Sequence, residues 1–384
     1  MKRGMSGTFV TTSTTGESVR AFVPHKLPPN PPIQVFQDLQ RLLELATLAL
    51  GRLDSVSLLL PDPNIFLYAY IRREAVLSSQ IEGTQSTLAD LLLFEINEAP
   101  GAPIDDVEEV SGYVAAMEHG MRRLRDGFPL CNRLFREMHE VLLSRGRGSE
   151  KSPGEFRKTQ NWIGGTRPGN AHYVPPPPDH LDLCMSDLER FIHEPNPSYP
   201  ILVKAALIHV QFETIHPFLD GNGRIGRLLI TFLLHHGQIL SRPLLYISLY
   251  FKQHRTEYYR LLDLVRSDGD WEAWLVFFLE GVHETATNAV VTAQQLIELM
   301  KQDSSKVQNL GRASISTLRV FYALCQRPIS SVKELSNQTR LSFPATMKGI
   351  NQLVKLQIVK EITGNRRNRI FAYESYLKLL NDTP

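Results

Sequence analysis

The sequence predicts a mainly α-helical protein, with a β-hairpin set into the helical array and a small module of different character at its C-terminal end. Three observations carry that prediction. From residue 34 to about 302, apolar residues recur at helical spacing in nearly every segment. Within that span the stretch FRKTQNWIGGTRPGNAHYVPPPPDHL, 156–181, does not read as helix. Finally, KQDSSKVQNLGRAS, 301–314, interrupts the pattern with polar residues, and the remaining 70 residues are built from shorter elements.

Residues 1–33 are polar and proline-rich and end in PHKLPPNPPI. They read as an extended arm, because four prolines within 28–32 exclude both helix and central strand. Residues 34–105 give helices in VFQDLQRLLELATLALGRLD, NIFLYAYIRREAVLSSQIEG and STLADLLLFEI, with Gly83 placed as a helix C-terminal cap and Ser86 as the next N-cap. Residues 106–303 begin with two more, DVEEVSGYVAAMEHGMRRLRDG and CNRLFREMHEVLLSRG, and continue with helices over 179–215, 224–236, 255–266 and from 270 to about 302. Between them, β-favouring pieces at 161–163 and 171–174 flank a turn of Gly, Pro and Asn, which reads as a hairpin closed off by the proline run. Residues 304–384 give three short helices, SISTLRVFYALCQ, SVKELSNQT and SFPATMKGINQLVKL, and two strand-like pieces in IVKEITGNRRNRIFAY. That is the element order of a winged helix-turn-helix.

Composition narrows the function classes. A formal net charge of +2 over 384 residues creates no global field that demands nucleic acid or a membrane surface. Cys131, Cys184 and Cys325 are far apart and lack metal-ligand spacing, which suits a reducing compartment. The N-terminus has no apolar signal region, and no run approaches the ~20 apolar residues of a span. The expectation is a cytoplasmic protein without membrane contact.

The chemistry concentrates in HPFLDGNGRIGR, 216–227. Its Gly221-Asn-Gly223-Arg-Ile-Gly226 matches the dinucleotide fingerprint formally, but a long apolar helical stretch precedes it instead of a strand, and no acid follows at the required distance. As a calcium loop it fails too, with Ile225 where the invariant glycine belongs and Thr231 at the position of the bidentate acid. At a helix N-terminus, the free N–H groups of Asn222, Gly223 and Arg224 form an anion site, and the glycines let phosphate approach. Arg224 and Arg227, three apart, project from one face of the first turn and imply a polyphosphate. Asp220 is placed to hold a divalent cation between phosphates, His216 to act as general base, and Phe218 to anchor the loop.

The pattern His-x-Phe-x-Asp-Gly-Asn-Gly-Arg-x-x-Arg resembles the signature of the Fic (filamentation induced by cAMP) domain and matches it from His216 to Arg227 without exception. The resemblance implies a Fic helical fold with a β-hairpin flap, and transfer of AMP from ATP to a Ser, Thr or Tyr hydroxyl of a target protein, with pyrophosphate released. His216 would deprotonate the hydroxyl. Asp220 would bind Mg²⁺ with the α- and β-phosphates. Asn222, Gly223 and Arg224 would cradle the triphosphate within the nucleotide-binding run Gly221–Arg227, which also includes Ile225 and Gly226, and Arg227 would hold the γ-phosphate. Retention of Gly221 and Arg227 favours adenylylation over the kinase chemistry of the death-on-curing branch. Residues 161–174 look like the flap that docks the target by strand addition, with Ile163, Gly164, Gly165 and Thr166 against the nucleotide. EYYRLLDLVR resembles the segment that closes the adenine pocket: Tyr258 is the first choice for the base contact, followed by Tyr259 and Arg266.

Ser78, Glu82 and Gly83, in LSSQIEGTQ, look like the family's inhibitory helix, in which the glutamate pairs with the second motif arginine. The resemblance also permits self-modification, a homodimer, and AMP removal as the main activity. A rival reading comes from the C-terminal module. Arg366, Arg367 and Arg369 could follow DNA phosphates, and Thr346, Asn351 and Gln352 could read base edges, making residues 305–384 the DNA-binding part of a transcriptional regulator. However, the expected recognition helix, 342–353, offers Lys348 as its one cation, so a protein-docking role is equally compatible.

Overall fold

Alternation around a two-residue turn, not proline, governs the N-terminus. In the computed structural model, which describes residues 2–59, 63–96, 101–194 and 199–381, Gly7–Thr14 (β1) and Glu17–Pro24 (β2) form an antiparallel hairpin in unbroken register. This corrects the extended arm expected there. Thr15 and Gly16 both take positive φ, 48° and 79°, the arrangement of the I′ turns that match strand twist. β-Branched Thr and Val flank it, and the proline run begins only afterwards.

Helices Gln37–Leu59 (α1), Pro63–Ile81 (α2), Leu88–Glu95 (α3), Ile104–Arg125 (α4) and Asn132–Leu142 (α5) follow. Gly83, with φ 106°, turns the chain out of α2 as expected. The next N-cap is Thr87, however, not Ser86. The Thr87 hydroxyl accepts from the Asp90 N–H (3.2 Å) and the Asp90 carboxylate accepts from the Thr87 N–H (2.9 Å). Only Thr87 has an acid three residues on to complete that reciprocal pair; Ser86 is buried.

Residues 161–174 form a looser loop than the hairpin expected. A single bridge joins Ile163 to Tyr173. Gly164 and Gly165 at positive φ, and the Asn170 side chain accepting from the Thr166 and Arg167 N–H groups (3.0 and 2.9 Å), wind the tip away from ladder geometry. β2 braces the loop. The Phe22 N–H donates to the Val174 carbonyl (2.9 Å), and Glu17 accepts from Arg167 and the Gly169 N–H (2.9 Å each).

Then come Pro178–Ile192 (α6), Ile201–Ile215 (α7), Asn222–His236 (α8), Ser248–Gln253 (α9), Arg255–Asp268 (α10) and Trp271–Gln308 (α11). Every residue of α7 after the first is buried, so this helix is the axis around which α6, α8, α10 and α11 pack. α11 runs unbroken for 38 residues through the boundary expected near 303. The polar residues there do not end the helix, because they pair across it. Asp303 and Ser304 are buried, bonded to Tyr373 (2.7 Å) and Tyr322 (3.2 Å).

Those tyrosines belong to the C-terminal module: Ser314–Gln326 (α12), Ile329–Ser331 (β3), Val332–Thr339 (α13), Phe343–Lys355 (α14), Lys360–Glu361 (β4), Ile370–Ala372 (β5) and Glu374–Asn381 (α15). Its small sheet has the order β3-β5-β4, antiparallel throughout. The module is seated on α11 and α2, where the Tyr376 hydroxyl donates to the Ile65 carbonyl (2.8 Å). Among the described residues no helix is long and apolar enough to cross a membrane.

Candidate active site

The loop between α7 and α8 is fixed before any ligand arrives. α7 ends at His216, which takes the left-handed conformation (φ 50°, ψ 61°), uncommon for a residue with a side chain. Arg157 holds it there: Nε donates to the His216 carbonyl (2.9 Å), and Nη2 donates to the carbonyls of Pro176 (2.5 Å) and Ile215 (3.4 Å). A guanidinium at the carbonyl end of a helix also meets the negative end of its dipole. Phe218 is fully buried and stacks on His139 with ring centres 3.8 Å apart. His139 Nδ1 accepts from the Gly154 N–H (2.9 Å), so Nε2 carries the proton and donates to the Asp220 carbonyl (3.0 Å). Burial pushes this imidazole down to about 4. Asn222 closes the loop, its side chain accepting from the Phe218 N–H and donating to the Phe218 carbonyl (2.8 Å each).

The reactive groups stand on that frame. His216 Nδ1 is shielded from solvent without a hydrogen bond of normal geometry. Burial, with the Arg157 guanidinium beside it, depresses the imidazole to about 4 against a weaker opposing pull from the Glu213 backbone. It is therefore a neutral base at ordinary pH. Arg224 and Arg227 do not share a partner. Arg224, 1% exposed, turns to Glu109 on α4 (2.9 Å). Arg227 turns to α2, where Nε donates to the Ser78 hydroxyl (2.8 Å) and Nη2 to the Ser78 carbonyl (3.0 Å) and Glu82 (2.7 Å). Burial works to raise the Glu82 carboxyl, but Arg227 outweighs it and holds it below its ordinary value. A Cβ at Gly223 would meet the Glu82 carboxylate and the Arg227 guanidinium, so either side chain would have to shift to accept one.

These groups open into a cleft of about 570 Å³, within the usual size of a small-molecule site. Clefts of about 720 and 710 Å³ lie elsewhere, so volume alone does not choose; the convergence of His216, Arg227 and the glycine-rich helix end does. Ile163, Gly164, Gly223, Tyr258, Tyr259, Arg266 and Glu82 line the same cleft. Gly165 and Thr166 sit at the loop tip and Ile225 lies in the core, outside its lining. Tyr258 is 1% exposed, with its hydroxyl committed to His209 Nε2 (2.9 Å) while His209 Nδ1 donates to the Gly226 carbonyl (3.0 Å). Tyr259, 40% exposed, presents the freer ring. The Arg266 guanidinium lies 4.0 Å from the Tyr173 ring centre and is bonded to Asp263 (2.9 Å).

Asp220 lies in the loop before α8, outside the cleft's lining. One carboxylate oxygen accepts from the Gly221 N–H (2.6 Å), and its side chain is 36% exposed. No cluster of three or more acidic, His or Cys side chains suited to a metal exists among the described residues. A single, partly exposed carboxylate suits Mg²⁺, which usually takes only one or two carboxylates from the protein, and Asp220 would be the residue to hold it. The sequence reading missed Arg157, His139, His209, Glu109 and Glu213. For His209 and Glu213 the signal was polarity inside an apolar helix, as in ALIHVQFETIH, where His209, Gln211 and Glu213 are all buried.

Comparison with known proteins agrees with this geometry. A profile described as "Fic/DOC family N-terminal" matches residues 40–122, and one described as "Fic/DOC family" matches residues 129–234. The chain carries Fic N-terminal and Fic domains. The Fic domain thus includes α5 to α8 up to residue 234, and the Fic N-terminal domain includes α2 with Ser78 and Glu82. The protein adenylyltransferase Fic of Drosophila yakuba is 32% identical over 258 residues, 63% of this chain and 48% of that protein. The Drosophila grimshawi protein of that name is 32% identical over 209 residues, 53% and 40% respectively. This chain therefore spans less than half the length of those relatives. A Fic family protein from Desulfovibrio desulfuricans G20 superposes with a TM-score of 0.60 at 20% identity, over 90% of this chain and 98% of that one. A Fic domain containing signaling protein from Bacteroides thetaiotaomicron VPI-5482 gives 0.53 at 21% identity, over 67% and 97%. Identities this low establish a shared fold.

Proposed function

We propose that this chain is a protein adenylyltransferase that moves AMP from ATP to a Ser, Thr or Tyr hydroxyl of a target protein or of itself. The observation that carries the reading is the meeting of a neutral, shielded His216, the open N-terminus of α8 and the Arg227 guanidinium in one cleft. The triphosphate takes the α8 end and Arg227, as anions do at helix N-termini. The incoming hydroxyl oxygen bonds to the α-phosphorus, the bond from that phosphorus to the bridging oxygen breaks, and pyrophosphate leaves. His216 accepts the hydroxyl proton. Asp220 would hold Mg²⁺, which when bound neutralises phosphate charge. The base lies toward Tyr258 and Tyr259, and the 161–174 loop receives the target segment.

Glu82 brakes the reaction by occupying the arginine that the γ-phosphate needs. We further read the C-terminal module as a winged helix. DNA reading by it has lost one base-edge candidate, since Thr346 is buried and bonded to the Ser342 carbonyl (3.1 Å). Incubation with ATP and Mg²⁺, followed by intact-mass analysis of the chain and of added lysate proteins, should show AMP adducts. Their absence from both wild type and Glu82→Gly would overturn the proposal.

A further inference from the structure

One carboxyl in the cleft has no hydrogen-bond or ion-pair partner among the described residues. Glu213, on the last turn of α7, is 7% exposed, and its Oε1 is shut off from solvent without a hydrogen bond, against the Cα of Gly226. The carboxyl nevertheless borders the cleft. Arg227, Glu82 and Arg266 act on it electrostatically, yet it forms no ion pair among the described residues. Burial pushes it up to about 7. Among the described residues other buried carboxyls have a partner on at least one oxygen, although Glu74 Oε2 also lacks a hydrogen bond: Glu74 pairs with Ser248 and Tyr113, Glu109 with Arg224, Glu272 with Arg3, and Asp303 with Tyr373. A buried polar group left unsatisfied is a cost that native structures rarely carry without use.

We propose that Glu213 reads the nucleoside part of the bound nucleotide, accepting a hydrogen bond from a ribose hydroxyl or a base amino group. This rests on the nucleotide reading of the cleft. A carboxyl is unsuited to the triphosphate, which Arg227 and the α8 end attract and which an anion repels. What remains of the ligand is the nucleoside, whose donors are its hydroxyls and its exocyclic amine. Glu213 lies one turn before His216 on the same helix, so a donor held at Glu213 also fixes how far the nucleoside reaches along α7.

The test is equilibrium binding of ATP, 2′-deoxy-ATP, 3′-deoxy-ATP and inosine triphosphate to the full chain, by calorimetry, for wild type, Glu213→Ala and Glu213→Gln. Glu213→Ala should weaken ATP binding on the order of 10-fold, while Glu213→Gln, which keeps an acceptor, should retain most of it and controls for folding. One analogue should already bind wild type that much more weakly and be indifferent to Glu213→Ala. A deoxy analogue doing so identifies the ribose, and inosine triphosphate the amine. Equal ATP affinity in wild type and Glu213→Ala, or weakening of all four ligands by one factor, overturns the assignment while leaving the nucleotide reading in place. A wild-type chain that binds none of the four overturns both.

Discussion

His216 shows how burial prepares a base. An exposed imidazole changes charge near 6.5, but here the neutral form persists down to about 4. The sign follows directly. Proton uptake inactivates the base, so its contribution to the rate is present above about 4 and falls only as pH drops through that value. In the Glu82→Gly background, AMP incorporation should show no acid limb near 6.5 from this group; a limb there that persisted in Glu213→Gln would mean that His216 titrates normally. The same shift costs stability below 6.5, where the unfolded chain takes up a proton that the folded one refuses. His216→Ala should lower incorporation by ~10²–10⁴ with ATP affinity nearly unchanged, read by initial rates and calorimetry. At this scale the sequence singled out His216, Asp220 and Arg227 by their types and order, and the fold brings His216 and Arg227 to one cleft. The sequence was silent on Glu109 and Arg157, whose roles depend on which distant chain segments the fold brings to Arg224 and His216.

The decisive contact between elements joins the C-terminal turn of α2 to the first turns of α8. Ser78 in the last turn of α2 and Glu82 just past its end both face Arg227. Glu82→Gly should free the guanidinium and raise AMP incorporation well above wild type. Arg227→Ala should not, because on the proposed mechanism it removes the γ-phosphate anchor along with the partner of the brake. The double variant should therefore behave like Arg227→Ala, the non-additivity of groups acting as a unit. Equal initial rates for wild type and Glu82→Gly would leave the ion pair a purely structural contact. Legibility at this scale followed the strength of local patterns. Long amphipathic helices such as α4 and α11 were evident, though α11 outran its predicted end because Asp303 and Ser304 are polar for the sake of partners some 20 and 70 residues away. The β1–β2 hairpin was missed because the proline run that follows it dominated the reading of the whole segment, although the Thr-Gly turn was in plain view.

On the scale of the molecule, the C-terminal module shares structural members with the helical array that precedes it. α11 passes from one to the other without a break, and the module also covers α2, the helix that carries Ser78 and leads directly into Glu82. Tyr373 is the hinge pin of this arrangement. Its buried hydroxyl donates to Asp303 on α11, its ring meets those of Phe321 and Tyr376, and its backbone N–H reaches the Pro328 carbonyl (2.8 Å). Tyr373→Phe keeps the ring and deletes one hydrogen bond, leaving an Asp303 oxygen buried without a donor while Lys306 serves the other (2.6 Å). Such a deletion costs about 1–3 kcal/mol, or a fall in Tm of roughly 1–4 °C for a chain of 384 residues that unfolds as one unit. Adding Asp303→Asn, which removes the stranded charge, should restore part of that loss. Because the interface is built on shared helices, the fall should appear as a displacement of one calorimetric transition for the whole chain. A separate low-temperature transition in Tyr373→Phe, with the main transition unmoved, would mean that the module unfolds on its own and that α2 is held in place without it.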